Sequence, residues 1–259
     1  IRIENLKYHH QPSEVMQLQL ENWDNFCKYH VNHDWYGVWT KYSVDGDVTD
    51  SFQCIRSFYL NQDASEINHQ NHYIYKHGKK ETKTFEPYRK PDGRALFLDN
   101  SFSWGSILVL EESRFGFETG FRYEDKRLST VLIYNETGNL QEITVISEIL
   151  QGSSEESNLI SPENFSGVWK GTSKTINPNY VVSSPVEITY EQLKNSDENY
   201  FKLYFPEGVA INCPISVESE KEFSAGIDWL INPNLLQSGI RNYDASGFTS
   251  FTLAKLTPS

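Results

Sequence analysis

Hydrophobic and polar positions follow two periods along this chain. Over residues 13–29 (SEVMQLQLENWDNFCKY), Met16, Leu20, Trp23, Phe26 and Cys27 recur at helical spacing on one face. The pattern predicts a helix there, with Ser13 as its cap after Pro12. Beyond it the sequence changes to short runs broken by turn chemistry: Asp45-Gly46-Asp47, Pro91-Asp92-Gly93 and Asn135-Glu136-Thr137-Gly138. Runs of this length between such turns predict up-and-down antiparallel strands forming barrels.

Alternation then assigns side chains to faces, because successive residues of a strand point opposite ways. In 51–60, Phe52, Cys54, Phe58 and Leu60 share a face with Arg56. In 115–124, Phe115, Phe117, Phe121 and Tyr123 take one face, and Glu118, Arg122 and Glu124 the other. In the second half, Tyr180, Val182, Val186, Ile188 and Tyr190 predict one apolar strand face. Phe201, Leu203 and Phe205 predict another.

Four segments recur in order. Trp35-Tyr36-Gly37-Val38-Trp39 reappears as Phe165-Ser166-Gly167-Val168-Trp169, and Phe102-Ser103-Trp104-Gly105 as Phe223-Ser224-Ala225-Gly226. Gly120-Phe121-Arg122 is echoed by Gly239-Ile240-Arg241, and Tyr134–Gly138 by Tyr243–Gly247. Such ordered self-similarity indicates a duplicated unit. The expected organisation is a tail and helix over 1–29, a first barrel over 30–150, a polar linker over 151–160 and a smaller second barrel over 161–259.

Composition narrows the function classes. Aromatic residues make up 14% of the chain, which suits packed β-structure. The net charge of −12, spread over both halves, argues against nucleic acid and anionic lipid as partners, since both need clustered cations. Three widely spaced cysteines, Cys27, Cys54 and Cys213, fit a reducing, cytoplasmic setting better than a disulfide framework. No apolar run reaches the roughly 18 residues of a membrane helix. Residues 1–15 lack the apolar centre of a secretion signal and are expected to pack weakly. The sequence leaves the oligomeric state open.

Gly37-Val38-Trp39 on the first strand after a helix resembles the lipocalin Gly-x-Trp motif, and Gly167-Val168-Trp169 repeats it. The longer stretches GVWTKYSVDGDVTDSFQCIRSFYLN, FLDNSFSWGS and ETGFRYEDKRLSTVLIYNETGNLQEITVISE resemble an uncharacterised calycin-superfamily family found mainly in cyanobacteria and chloroplast-bearing organisms. The resemblance implies two tandem, mostly antiparallel calycin barrels, closed at the floor by Trp39 and by Trp169 stacked on Arg241. Glu118, Arg122 and Arg127 also resemble, at approximate spacing, residues of phycobiliprotein bilin lyases.

The site reading follows from the alternation. A guanidinium on an apolar face needs a carboxylate, a carbonyl cluster or an anionic ligand. With Glu118 and Arg122 turned inward, Arg56 would complete a charged centre in an aromatic cavity of the first barrel, lined by Trp104. The expected ligand is small and hydrophobic or amphipathic, with a carboxylate or a tetrapyrrole body held by Arg56 and Arg122. The same residues would also make an internal salt bridge, and Trp104 would also serve as interface filler. An enzyme alternative is a bilin lyase or tetrapyrrole chaperone using Glu118 and Arg122. A third reading is a structural or interaction protein with filled barrels. The seven histidines show no third ligand at metal-site spacing, so neither a metal nor a cofactor is expected. Cys54 reads as a buried thiol.

Overall fold

The computed structural model describes residues 12–91, 93, 95–153, 161–191 and 198–259. Residues 1–11 of the expected tail and 154–160 of the expected linker lie outside the described residues. The helix, α1 (Pro12–His30), starts on proline, whose fixed φ and missing N–H suit a first helical position. Ser13 therefore lies inside the first turn rather than capping it. No α-helix among the described residues is long and apolar enough to cross a membrane.

Ten strands follow in the first half: β1 (His33–Tyr42), β2 (Val48–Leu60), β3 (Glu66–Ile74), β4 (Lys80–Thr84), β5 (Tyr88–Arg89), β6 (Ala95–Leu98), β7 (Ser101–Gly105), β8 (Phe115–Tyr123), β9 (Lys126–Tyr134) and β10 (Leu140–Leu150). They form one antiparallel sheet in the order β4-β3-β2-β1-β10-β9-β8-β7-β6, with β5 also on β3. The second half supplies β11 (Val168–Ile176), β12 (Val186–Glu191), β13 (Tyr200–Phe205), β14 (Val209–Pro214), β15 (Phe223–Asn232), β16 (Leu235–Asp244) and β17 (Gly247–Pro258). Their order is β12-β11-β17-β16-β15-β14-β13. In each sheet the first strand of the unit pairs with its last.

Neither sheet is a closed barrel among the described residues, contrary to the sequence expectation. The first is a curled half-barrel, unpaired between β4/β5 and β6, and the second is an open sheet, unpaired between β12 and β13. In the first sheet α1 covers the break. Phe26 stacks on Phe97 of β6 at 4.2 Å and meets Tyr88 of β5 edge-on at 5.0 Å. Asn22 acts as a substitute strand, donating to Ala95 O at 2.9 Å and accepting from Phe97 N at 2.7 Å. An edge strand left with free N–H and C=O groups would invite pairing with other chains, and the asparagine removes that exposure at β6.

The two sheets share a core. Phe115, Phe117 and Phe121 of β8 pack with Leu132, Tyr134 and Ile143 against Ile227, Trp229, Tyr243 and Phe251 of the second sheet. This is the aromatic face anticipated for 115–124, and its opposite face turns into the curl of the first sheet. The strand expected over 180–190 is shorter. Tyr180 has φ 64° in a turn, and β12 begins only at Val186, which is exposed.

The repeated segments map unevenly onto this topology. Tyr134–Gly138 and Tyr243–Gly247 both lead into the last strand of their units. The other matches do not coincide. Counting back from the last strand, β8 corresponds to β15, so the β7 and β15 segments are one strand out. Trp169 corresponds to Trp35 and not to Trp39. Each indole sits near the start of its unit's first strand and donates to a carbonyl just upstream, Trp35 to His30 O at 3.1 Å and Trp169 to Phe165 O at 3.2 Å. Gly37 and Gly171 each follow two residues later.

Candidate functional site

The inner face of the first sheet is set by register. Trp35, Gly37 and Trp39 of β1 pair with Arg56, Cys54 and Phe52 of β2. On the other side, Gly37 pairs with Glu148 of β10, which pairs with Arg127 of β9. Val131 of β9 pairs with Glu118 of β8, and Glu118 with Trp104 of β7. Two acids and two guanidinium groups therefore face the same interior. Arg56, Glu118, Arg127 and Glu148 are all buried, none more than 5% exposed.

Their charges compensate within the group. Arg56 Nε lies 3.0 Å from Glu148 Oε1, and its Nη1 lies 3.3 Å from Glu118 Oε1. Arg127 Nη1 lies 3.5 Å from Glu148 Oε2. Glu118 also accepts from the Ser129 hydroxyl at 2.6 Å and from the Trp104 indole Nε1 at 2.7 Å. Gly37 makes the Arg56–Glu148 contact possible. It stands between them on β1, and a Cβ there would lie 2.6 Å from Glu148 Cγ.

The local electrostatics follow from burial and pairing. Burial pushes the Glu118 carboxyl up, but Arg56, the Ser129 hydroxyl, Arg127 and the Trp104 indole outweigh it, leaving it below its ordinary value. Burial works against the Arg56 cation, yet Glu148 and Glu118 hold it above the usual arginine range. Arg127 is pulled down to about 10 by burial, with Glu148 opposing. All three stay ionised at neutral pH.

Trp104 is the accessible member of the group, 51% exposed. It borders a cavity of about 720 Å³ that Val131, Ile133, Phe117 and Thr49 line, with Glu118 at its base and Lys41, Arg114 and Glu142 also on its wall. Across the interior, Trp39, Phe52, Tyr73 and Tyr75 form an aromatic cluster with neighbouring ring centroids 5.2–5.9 Å apart. The Arg56 guanidinium lies 4.8 Å from the Trp39 ring.

Of the residues singled out from sequence, Arg56, Glu118 and Trp104 come together. Arg122 does not join them. It lies four residues further along β8, where its Nη1 donates to Tyr29 O at 2.6 Å and its guanidinium covers the Trp35 ring at 5.1 Å. Trp39 is half-buried in the interior rather than plugging the floor. Trp35, four residues earlier on β1, is the fully buried indole of that strand and lies under Arg122. Trp169 is buried at the start of β11. Arg241 is not its stacking partner. It pairs with Phe251 of β17, opposite Ile176 and seven residues along β11 from Trp169. At about 3.3 Å per residue that separation is roughly 23 Å.

Sequence reasoning missed Arg127 and Glu148 as members of the charged centre. Glu148 carried the signal that exposed Arg56, a lone charge between Ile146 and Leu150 on one strand face. It also missed His30, which is fully buried among Phe26, Phe97 and Phe102. Among the described residues, no three His, Cys, Asp or Glu side chains converge as a metal site would require.

Residues 19–153 match the family described as "Domain of unknown function (DUF3598), N-terminal". Residues 182–256 match the C-terminal domain of "Biogenesis factor required for ATP synthase 1". The chain is similar in fold to the crystal structure of a DUF3598-family protein of unknown function from Nostoc punctiforme PCC 73102. The TM-score is 0.77 and the identity 22%, over 92% of this chain and 99% of that one. Kievitone hydratase from Nectria haematococca aligns over 88% of this chain and 89% of its own at 6% identity, with a TM-score of 0.22 that carries no weight for the fold. Comparison with curated proteins finds no match. The first of these matches spans more than half of the sequence, and the chain belongs to the DUF3598 family.

Proposed function

We propose that this protein binds a small amphipathic molecule in the curl of its first sheet. The observation that carries the reading is the cavity of about 720 Å³ with the Trp104 indole on its wall and the Glu118 carboxylate at its base. That volume is of ligand-pocket size, and the lining mixes apolar side chains, among them Phe117, Val131 and Ile133, with polar ones such as Thr49, Gln141 and Glu142, as an amphipathic ligand requires.

The polarity of the base selects the ligand's polar end. Arg56 lies behind Glu118, bonded to it, and Arg122 lies elsewhere, so the group beside the Trp104 indole is an anion, while the two cations of the wall, Lys41 and Arg114, are paired with Glu142 and Glu136. A ligand with an N–H or O–H donor is therefore favoured over the carboxylate-bearing one expected from sequence. An open-chain tetrapyrrole, with its pyrrole N–H groups, stays within that class. The lyase alternative is disfavoured as an acid-catalysed process, because Glu118 is held ionised. A calycin relationship is supported by the first-to-last strand pairing and by Trp35 under Arg122 at the covered end.

Calorimetric titration with three matched probes tests the proposal: 2-naphthylmethylamine, 2-naphthol and 2-naphthoate. The amine and the naphthol are expected to bind, the carboxylate to bind at least about tenfold more weakly, and Trp104→Ala to weaken the first two. Absence of binding by all three overturns the cavity reading. Preference for the carboxylate overturns the assignment of its base.

A second reading, a factor that docks on another protein, is favoured by the match of residues 182–256 to a biogenesis-factor domain. The exposed Ile107, Leu108 and Leu110 on the loop after β7 fit it as well. Binding to isolated ATP synthase subunits that Ile107→Asp abolishes would support this reading, and its absence would remove it.

A further inference from the structure

Arg241 is 2% exposed, and the ion pairs among the described residues include none to it. A buried cation is costly unless its donors are met. Here each of its three nitrogens has an acceptor, two of them across the boundary between the sheets. Nη1 donates to Ser103 Oγ at 2.7 Å, Nη2 to Ser106 O at 3.3 Å, and Nε to Tyr243 Oη at 2.9 Å. Tyr243 Oη donates in turn to Ser106 O at 2.9 Å, and Phe248 N donates to Ile107 O at 2.7 Å. The guanidinium stacks on Phe248 at 4.1 Å.

Ser103 and Ser106 bracket Trp104-Gly105, the wall of the cavity. Gly105 has φ 142°, and a Cβ there would lie 2.4 Å from Phe117 Cα, so this backbone is pressed against β8. β7 is the last strand but one before the unpaired edge of the first sheet, with only β6 beyond it. The second sheet supplies the tie that fixes it.

We propose that Arg241 is a positioning residue of the first sheet's cavity, holding the Ser103–Ser106 segment so that the Trp104 indole reaches Glu118. The second sheet thereby sets the shape of a cavity in the first. The inference rests on Trp104 as the cavity wall, and its test reads Trp104 without any ligand.

The variants are Arg241→Lys, which keeps the charge but cannot span three acceptors, and Ser103→Ala, which removes one anchor from the other side. Leu236→Ala, in the same sheet but in a separate core, serves as the stability control. Trp104 emission is taken as the difference between each protein and its Trp104→Phe counterpart. In Arg241→Lys this emission is expected to shift to the red and its acrylamide quenching to rise, with Ser103→Ala intermediate. Affinity for 2-naphthylmethylamine is expected to fall about tenfold. Leu236→Ala is expected to lower Tm while leaving Trp104 unchanged. If Arg241→Lys and Ser103→Ala lower Tm as the control does and leave Trp104 emission and quenching unmoved, Arg241 is a structural tie only. Failure of the wild-type protein to bind any naphthyl probe would defeat the binding proposal and leave the emission test standing.

Discussion

Trp104 and Glu118 are register partners on adjacent strands, and the indole Nε1 of one donates to Oε2 of the other across 2.7 Å. The pair joins an accessible ring to a buried charge. One face of the indole is available to a ligand while its N–H helps hold the carboxylate ionised.

Trp104→Phe keeps the ring and removes the donor. Because the indole is half exposed, the expected loss is modest, about 1 kcal/mol at pH 7. The acid response is more diagnostic. The folded Glu118 lies below its unfolded value, so it contributes stability above the ordinary carboxylate range that is lost as pH falls through the folded value. Removing a donor raises that folded value. Urea titrations at several acid pH values should show Trp104→Phe losing stability at a higher pH than the wild type.

Two buried imidazoles set a second pH dependence. His30 is held well below the usual histidine value by burial and then by Arg127, Arg122 and Arg56. His69 stacks between Phe58 and Phe85 and is pushed down to about 3, by burial first and then Arg56. Both are neutral in the folded protein, whereas the unfolded chain takes up protons below about pH 6.5. Stability should therefore be full above that pH and fall on acidification from 6.5 toward 4, by about 1.4 kcal/mol per pH unit for each histidine. His30→Phe and His69→Asn should each remove one proton's worth of slope, measured as unfolding free energy against pH.

Faces were legible in the sequence, and heights were not. Alternation in 51–60 and 115–122 is local, so it placed Arg56 and Glu118 on the inner face, and the phenylalanines of β8 on the other. Arg122 has the parity of Glu118, but four residues along a strand is about 13 Å, enough to move it to another layer. The same four-residue ambiguity separates Trp35 from Trp39. Which height meets which depends on register across six strands from β3 to β8, set by bulges and turns that one sequence does not reveal. The Gly37–Glu148 crossing, the open edges and the tie from Arg241 are likewise non-local. α1 was legible because its apolar spacing is self-contained, yet its role in covering the β6 edge needed the position of Asn22.

Asn22→Ala tests that role. The variant loses the bonds to Ala95 O and Phe97 N, leaving those two buried edge groups unmet while Asn25 still donates to Phe97 O at 3.1 Å, and should cost about 2–3 kcal/mol. Hydrogen exchange should accelerate first in β6, with Phe97 N as the reporter. Uniform acceleration across the first sheet would mean that α1 stabilises it globally instead of sealing one edge.

The charged centre makes the most demanding prediction. Arg56, Arg127, Glu118 and Glu148 sum to zero charge, and each acid is within 3.5 Å of a guanidinium. Glu148→Gln leaves two buried cations sharing Glu118, and removing one partner of a buried pair costs about 3–5 kcal/mol. Replacing a whole buried pair by apolar groups of similar volume is by contrast near neutral. Arg127→Met with Glu148→Met together leaves Arg56–Glu118 intact and neutral. The double variant should therefore be more stable than Glu148→Gln alone. Urea unfolding at pH 7 of Arg127→Met, Glu148→Met and the double should give a coupling of about 2 kcal/mol or more between Arg127 and Glu148. Additive effects would show that the long Arg127–Glu148 contact carries no energy, and that Arg56 alone balances both acids.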